Sequence, residues 1–174
     1  MKKRRQAGST SKSIPQSIRV TLRRGRMRDL AALVTLELAV FSTDVVSRRS
    51  FRRFIVSPRA SLIVAEESGG LAGYVLVLYP SRSQRARLYS IAVAPHAGGR
   101  GLGPRLLAAA EAAAKRRGRR EMRLEVHIDN KRAIARYQKS GYRVFGKHRD
   151  YYDDHGDALR FEKPLGRPLN ARLP

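Results

Sequence analysis

The stretch Ser90–Leu107, SIAVAPHAGGRGLGPRLL, passes from an apolar strand-like run through a glycine-rich turn into a leucine-rich segment. Four of the six residues 98–103 are glycine. A strand that leads into such a turn and then into a helix N-terminus is a general anion-binding arrangement, because unpaired amides and the positive end of the helix dipole face the ligand. The stretch therefore predicts a site for a phosphate-bearing ligand, with Arg100 and Arg105 adding positive charge.

Two common phosphate-binding motifs fit this loop poorly. A nucleoside-triphosphate loop requires Lys followed by Ser or Thr after its last glycine, and no such pair follows here. A dinucleotide fingerprint requires glycine where Pro104 stands, although Glu125 lies near the place of a ribose-binding acid. Three strand-like segments precede the loop without an intervening helix, which disfavours the alternating strands and helices of a dinucleotide-binding fold.

The hydrophobic pattern predicts an α/β (α+β) domain, a mixed and mostly antiparallel sheet of about six to seven strands flanked by about four helices. Apolar residues at helical spacing predict the helices, and Asn130 is expected to cap the last of them. The helices are expected over residues 27–41, 47–56, 102–118 and 131–139. The strands are expected over residues 17–22, 61–67, 70–80, 86–95, 121–127, 141–146 and 157–165.

Composition limits the classes of protein to which the chain can belong. The chain has 174 residues and no cysteine, which excludes disulfides and thiolate metal sites and fits a cytoplasmic protein. No apolar run is long enough to span a membrane, and no apolar stretch follows the basic N-terminus as in an export signal. We expect a disordered basic tail over residues 1–16, one domain over 17–165 and a C-terminal tail over 166–174.

The charge balance is unusual. Thirty-seven Lys and Arg stand against 14 Asp and Glu, a net charge of +23, and residues 1–28 contain ten basic side chains and no acid. Such an imbalance favours a polyanionic partner, and it suggests contact with RNA or a ribosome through the basic tail. The alternative is a solvated, arginine-rich surface without a specific partner.

Two separated motifs resemble the GNAT superfamily of N-acetyltransferases. VAPHAGGRGLGPRLL resembles the acyl-CoA-binding segment of that family, and LEVHIDNKRAIARYQKSGY resembles the second half of its motif set. Together with DYYDDHGDALRFEKPL, the resemblance covers about Ser17 to Leu165 and is greatest to the ribosomal-protein-alanine N-acetyltransferases. It implies the GNAT fold, acetyl-CoA as cosubstrate and an amine as acetyl acceptor.

The resemblance also implies which residues hold acetyl-CoA. The backbone of Ile91, Ala92 and Val93 would receive the acetyl and pantetheine groups, and Asn130 and Tyr137 would flank the thioester. The pyrophosphate would lie against the loop residues Gly98, Gly99, Arg100, Gly101, Leu102 and Gly103. The chain departs from the family at Gly98, where an Arg or Gln is usual, and Arg100 is the candidate to replace that side chain.

Acetyl transfer to an amine requires a group that removes a proton and a group that supplies one. An α-amino group has a pKa of about 8, so most of it is protonated at neutral pH. Glu125, at the end of a predicted strand, is the candidate base, with His127 as a second candidate and a surface ion pair as the alternative. Tyr137 lies two helical turns after Asn130 and is implied by the resemblance to donate a proton to the sulfur; the alternative is a core aromatic.

The remaining polar residues give weaker indications of a metal site and of the acceptor. The four histidines lack metal-ligand spacing, so we expect no metal. Tyr151 and Tyr152 are the candidate contacts for the acceptor, or they cover the edge of the sheet. The favoured acceptor is a protein N-terminal α-amine, as in ribosomal proteins, although a strongly basic enzyme should repel a basic peptide. The alternative acceptors are a lysine side chain and a small amine. The alternative to an enzyme is a non-enzymatic nucleic-acid-binding protein on a degenerate acetyltransferase scaffold.

Overall fold

The computed structural model describes residues 19–166, so the predicted basic tail and nearly all of the predicted C-terminal tail lie outside the described residues. The seven strands are β1 (Thr21–Arg24), β2 (Ala60–Glu67), β3 (Gly70–Leu78), β4 (Arg85–Val93), β5 (Glu121–His127), β6 (Arg143–His148) and β7 (Ala158–Pro164). The four α-helices are α1 (Leu30–Val40), α2 (Arg48–Val56), α3 (Leu102–Arg116) and α4 (Lys131–Lys139).

The strands form one sheet in the order β1-β2-β3-β4-β5-β7-β6. Every neighbouring pair is antiparallel except β4 and β5, which are parallel and joined by α3. The predicted mixed, mostly antiparallel sheet with about four helices is therefore confirmed.

Helices cover both faces of the sheet. Gly73 and Tyr74 are neighbours on β3 and so point to opposite faces. The Tyr74 hydroxyl donates to Glu37 of α1, whereas a Cβ added to Gly73 would lie 3.0 Å from Leu106 of α3 and 2.7 Å from the Ala92 carbonyl oxygen. Glycine at position 73 thus allows α3 to lie close against the sheet, and α1 packs on the other side.

The helix bounds differ slightly from the sequence prediction. The first helix was expected from Met27, but Met27–Asp29 form a 3-10 turn and the α-helix begins at Leu30. The third helix ends at Arg116 rather than Gly118, because Gly118 has a left-handed φ of 71° that ends the helical path. The cap at Asn130 is present as predicted, since its side chain accepts from the Ala133 amide at 3.0 Å.

The parallel strands β4 and β5 separate after a short paired segment. Their register runs only from Arg85, opposite Glu121, to Arg87, opposite Arg123. Beyond it, the pairing of β4 with β3 shifts register at Tyr89, a bulge that bends β4 at the point where it leaves β5. The separated strand ends create an opening in the middle of the sheet.

Within residues 19–166, none of the helices combines the length and the apolar composition that are needed to cross a bilayer.

Candidate active site

A cavity of about 1120 Å³ occupies the opening between β4 and β5. Its walls come from the end of α1 and the loop to α2, the outer half of β4, the glycine loop with the start of α3, the end of β5, the start of α4, and the loop before β7. This volume is large enough for an extended organic ligand and an acceptor group together.

The glycine loop forms one end of this cavity. Gly99 and Gly101 have left-handed φ values of 74° and 73°, a backbone that side chains strongly disfavour, and α3 begins directly afterwards at Leu102. Five residues of the predicted pyrophosphate loop line the cavity: Gly98, Gly99, Gly101, Leu102 and Gly103. The loop is therefore arranged to present backbone amides to a ligand at the N-terminus of α3.

The side chain of Arg100 is directed away from this loop end. Its Nη1 lies 3.1 Å from Glu67 Oε2, and His96 Nε2 lies 2.9 Å from the other oxygen of the same carboxylate. Arg100 is absent from the cavity lining, and Arg105 donates instead to the Val20 carbonyl at 3.0 Å. As the protein is folded here, Arg100 does not take the place of the side chain that is missing at Gly98.

Helix α4 contributes two arginines that the sequence analysis did not select. Arg132 and Arg136 both line the cavity, four residues apart on one face of α4. A Cβ placed on Gly103 would lie 3.5 Å from the Arg136 guanidinium carbon, so this cation is adjacent to the glycine loop. The helical spacing was visible in the sequence, but the closeness of α4 to the start of α3 was not.

The outer part of β4 contributes two of its three predicted residues to the cavity wall. Ile91 and Val93 line the cavity, whereas Ala92 does not and is only 2% exposed. Asn130 lines the cavity while it caps α4. A contact of Ala92 with a ligand would therefore involve its backbone rather than its side chain.

Tyr137 is a buried aromatic that also borders the cavity. Only 6% of the residue is exposed, and its ring packs against Tyr142 and Phe161. Burial raises the pKa of the Tyr137 hydroxyl to about 12. The phenol therefore keeps its proton throughout the physiological pH range, and it has no hydrogen-bond partner among the described residues. Tyr137 is thus a core aromatic residue whose protonated hydroxyl lies at the cavity.

Glu125 lines the cavity and is held by an arginine from the neighbouring strand. Arg87 Nε donates to Glu125 Oε2 at 3.0 Å, and Nη2 of the same guanidinium donates to the Tyr151 hydroxyl. Arg160 lies farther away, at 3.9 Å. The Glu125 side chain is 14% exposed, so this carboxylate is oriented by Arg87 at the edge of the open space rather than free in solvent.

His127 and Tyr152 form the adjoining wall. Their rings lie 5.0 Å apart, and His127 Nε2 is 3.3 Å from Asp154 Oδ2. His127 Nδ1 accepts from the Asp129 amide at 3.1 Å. Burial, followed by the charges of Tyr151, Glu125 and Asp44, raises the pKa of Tyr152. Residues 19–166 contain no group of three or more acidic or histidine side chains placed to hold a metal ion.

A buried carboxylate lies beneath the same end of the cavity. Glu37 is 1% exposed and accepts from the Val46 amide at 2.7 Å and from the Tyr74 hydroxyl. The Tyr74 hydroxyl is also hydrogen-bonded to Ser90 Oγ at 2.7 Å. Glu37 thus ties the loop between α1 and α2, which forms one wall of the cavity, to β3 and β4.

We expect Glu37 to make the protein less stable as pH rises. Burial raises the pKa of the Glu37 carboxyl above its ordinary 4.5, so the folded state retains a proton that the unfolded state releases. The contribution of this carboxyl to the free energy of unfolding is complete below pH 4.5 and is lost as pH rises through the pKa of the folded state. The free energy of unfolding falls by at most about 1.4 kcal/mol per pH unit in that range. Urea unfolding at a series of pH values should show the fall in the native protein and not in Glu37→Gln.

Glu66→Gln is the control of opposite sign. Arg23 lowers the pKa of the Glu66 carboxyl, so its contribution is lost as pH falls rather than as it rises. Parallel pH profiles of the native protein and Glu37→Gln would contradict the assignment of a raised pKa to Glu37.

The cavity differs in charge from the protein as a whole. Besides the buried Glu37, whose pKa is raised, four acidic side chains line it, Asp44, Glu125, Asp129 and Asp154, against three arginines, Arg87, Arg132 and Arg136. The net charge of the chain is +23, so most of the positive charge lies elsewhere. The end near Tyr152 has the charges of Asp44, Glu125 and Asp154 close to it, with Arg87 as the opposing cation.

Comparison with known proteins establishes the class of enzyme that this fold and cavity represent: the protein is an acyltransferase. The chain belongs to the acetyltransferase (GNAT) family, whose model matches residues 30–142.

Two relatives and one solved structure show where in the family the similarity lies. A Bacillus subtilis protein named as a candidate ribosomal protein bS18-alanine N-acetyltransferase is 29% identical over 142 residues, covering 81% of this chain and 93% of its own length. The N-alpha-acetyltransferase RimI of Mycobacterium tuberculosis is 34% identical, covering 68% of this chain and 75% of its own. The Escherichia coli ribosomal-protein-S18-alanine N-acetyltransferase superposes with a TM-score of 0.77 at 25% identity, covering 89% of this chain and 99% of that structure.

Proposed function

We propose that this N-acetyltransferase moves an acetyl group from acetyl-CoA to the N-terminal α-amine of a protein, with ribosomal proteins as the favoured acceptors. The observation that carries the proposal is the placement of Glu125 and Tyr137 in one cavity with the glycine loop. The names of the Bacillus subtilis relative and the Escherichia coli structure support the acceptor class.

The residues of the cavity fit acetyl-CoA, which enzymes of this family use. The left-handed glycines leave the amides of the loop open, and Arg136 stands beside Gly103 to neutralise phosphate charge. The outer part of β4, beyond Arg87, is not paired with β5, so its backbone groups on that side are available to an extended chain of amides. Acetyl-CoA supplies an acetyl thioester when bound.

The two ionisable side chains then have complementary tasks. Glu125 accepts a proton from the acceptor ammonium, directly or through water, and produces the neutral amine that is the nucleophile. Tyr137 holds a proton on a buried hydroxyl where a departing thiolate requires one. Arg87 keeps the Glu125 carboxylate facing the cavity, and Tyr151 and Tyr152 form the wall beside the acceptor.

The charge of the cavity answers the objection that a basic enzyme repels a basic peptide. Charges separated by more than about 8 Å are largely screened at physiological salt when they are exposed. Arg87 and Arg160 offset the charge of Glu125 at that end, so the attraction for an ammonium group comes from Asp44 and Asp154. A positively charged N-terminus is attracted locally even though the chain has a net charge of +23.

Arg136→Ala is expected to weaken acetyl-CoA binding by roughly 10- to 150-fold, because a charge-assisted contact to phosphate contributes roughly 1.5–3 kcal/mol. Calorimetric titration with acetyl-CoA at near-physiological salt measures the effect. Arg100→Ala is the matched control, because Arg100 belongs to the glycine loop but its side chain pairs with Glu67. We expect the affinity of this variant for acetyl-CoA to change less than threefold. A larger loss for Arg100→Ala than for Arg136→Ala would reverse the assignment.

Acetylation of matched peptides tests the acceptor. One peptide has a free N-terminal alanine and no lysine, and its partner has a blocked N-terminus and one internal lysine. We expect turnover with the first and little with the second. Turnover with the lysine peptide or with small amines alone would refute the N-terminal acceptor, and absence of acetyl-CoA binding by the folded protein would refute the cosubstrate.

A further inference from the structure

We propose that the end of the fold opposite the cavity binds double-stranded RNA through its phosphate backbone. This basic end face consists of seven arginines, Arg59, Arg82, Arg85, Arg116, Arg117, Arg119 and Arg120. The choice of RNA rests on the proposed function, because ribosomal proteins are presented on a particle built from RNA. The binding surface itself is argued from charge and geometry.

The sheet brings these distant arginines together. Arg59 precedes β2, whose first residue pairs with the last residue of β3, and Arg85 at the start of β4 pairs with Glu121 at the start of β5. Arg117 Nη1 donates to the Pro58 carbonyl at 2.6 Å, and the Arg120 amide donates to the Gln84 carbonyl at 2.8 Å. The cavity lies at the other ends of β4 and β5, so the two sites do not overlap.

Most of this charge lacks a carboxylate partner. Among the described residues, only Arg85 of the seven has a carboxylate within 4.0 Å, namely Glu121 at 3.2 Å, and that carboxylate is also contacted by Arg123. Arg82, Arg85 and Arg120 surround a second cavity of about 400 Å³, in which Glu121 is the one acid. Unpaired like charges so close together repel one another, and a polyanion relieves that repulsion.

Two of the arginines have structural roles that fix the face in place. Arg117 and Arg119 both lie over the Tyr79 ring, with their Cζ atoms at 4.6 and 5.6 Å from its centroid. Arg119 also donates to the Ser83 carbonyl. Arg82, Arg116 and Arg120 make no side-chain hydrogen bond to any residue in the described range, so their guanidinium groups are available to a partner.

The chemistry of the face favours the backbone of an RNA duplex. The planar fork of each of these arginines matches phosphate. The aromatic residue beneath these arginines, Tyr79, is 2% exposed. The arginines are therefore not accompanied by an exposed Tyr79 ring on which single-stranded bases could stack.

The experiment compares two charge-reversal variants of the full chain. Arg82→Glu, Arg116→Glu and Arg120→Glu together alter the face, and Arg49→Glu, Arg52→Glu and Lys139→Glu together make the same change of charge at exposed positions elsewhere. The probe is a labelled RNA duplex of about 20 base pairs, titrated by fluorescence anisotropy over a range of salt concentrations. Acetyl-CoA affinity is measured in both variants to show that the fold is intact.

We expect the face variant to bind the duplex at least about tenfold more weakly at about 150 mM salt, with the salt slope reduced by about three. The control variant should stay within about threefold of the native protein. Equal weakening of both variants would overturn the proposal, since the whole surface would then act by net charge alone. Unchanged RNA affinity in the face variant would overturn it too.

Two further probes distinguish the occupant. RNA affinity equal to or above that for a DNA duplex of the same sequence supports the assignment, and tighter DNA binding overturns it. Vesicles of equal parts phosphatidylglycerol and phosphatidylcholine test whether the basic end face binds an anionic membrane. If the face variant loses vesicle binding but retains its RNA affinity, the RNA proposal is overturned. Because these are binding measurements, their failure is distinct from failure of the acetyl transfer.

Discussion

Glu125→Gln is expected to lower kcat by about 10²–10⁴-fold while the affinity for acetyl-CoA stays within about twofold, because a positioned base contributes that much to proton transfer. The substitution keeps the shape and the acceptor atom for Arg87 Nε, which donates to Glu125 at 3.0 Å, so the surrounding contacts are conserved. Steady-state kinetics with an N-terminal peptide, together with calorimetry of acetyl-CoA, separates the two effects.

The loss should be greatest at low pH. An α-amine has a pKa of about 8, so below that value most acceptor molecules carry a proton that the variant cannot remove. As pH rises toward 9, the fraction of neutral amine in solution increases and the variant should partly recover. A deficit that is independent of pH would indicate that Glu125 orients the acceptor rather than deprotonating it.

Glu162→Gln is the matched control for this prediction. Glu162 lies on β7, pairs with Arg123 at 3.0 Å and Arg143 at 3.2 Å, and is not part of the cavity wall. It is likewise a carboxylate between two arginines, so we expect little change of kcat. Comparable loss in both variants would assign the effect to the ion-pair network of the sheet.

Tyr137→Phe is expected to lower kcat about 10²-fold with little change in stability. The variant removes only the hydroxyl, which has no hydrogen-bond partner among the described residues, and keeps the ring packing against Tyr142 and Phe161. Burial raises the pKa of Tyr137 to about 12, so the native phenol remains protonated as a donor up to that pH. Activity of the native enzyme should therefore show no loss from Tyr137 ionisation between pH 7 and 9.

Tyr142→Phe tests whether a merely structural change accounts for that result. Tyr142 is equally buried nearby, and its hydroxyl donates to Glu111 at 3.1 Å outside the cavity. We expect this variant to lose about 1 kcal/mol of unfolding free energy and to retain its kcat. Full activity of Tyr137→Phe, measured under the same conditions, would refute the role of the phenol as proton donor.

Features of the structure that depend only on residues close together in the sequence could be predicted from the sequence. The apolar run, the glycine turn and the leucine-rich segment in Ser90–Leu107 form a strand, a loop and a helix in that order, as expected. Asn130 caps its helix because a cap requires only a side chain and an amide three residues later. The order of short strands predicted a mostly antiparallel sheet, since short turns favour antiparallel neighbours.

The detailed arrangement of the cavity depends on contacts between distant residues. Arg87 is 38 residues from Glu125 and 64 from Tyr151, and no local pattern indicates that these three side chains meet. The separation of β4 from β5 is likewise a property of their register, which the spacing of apolar residues does not encode.

The direction of charged side chains was decided by folding in the same way. Sequence position made Arg100 the candidate phosphate contact of the glycine loop, but its side chain forms an ion pair with Glu67 of β2, and Arg136 from α4 lies beside the loop instead. The sequence by itself determined the helices and strands, the glycine turn before α3 and the family. The tertiary structure decided which charges line the cavity, because long flexible side chains follow the nearest opposite charge in space rather than their neighbours along the chain.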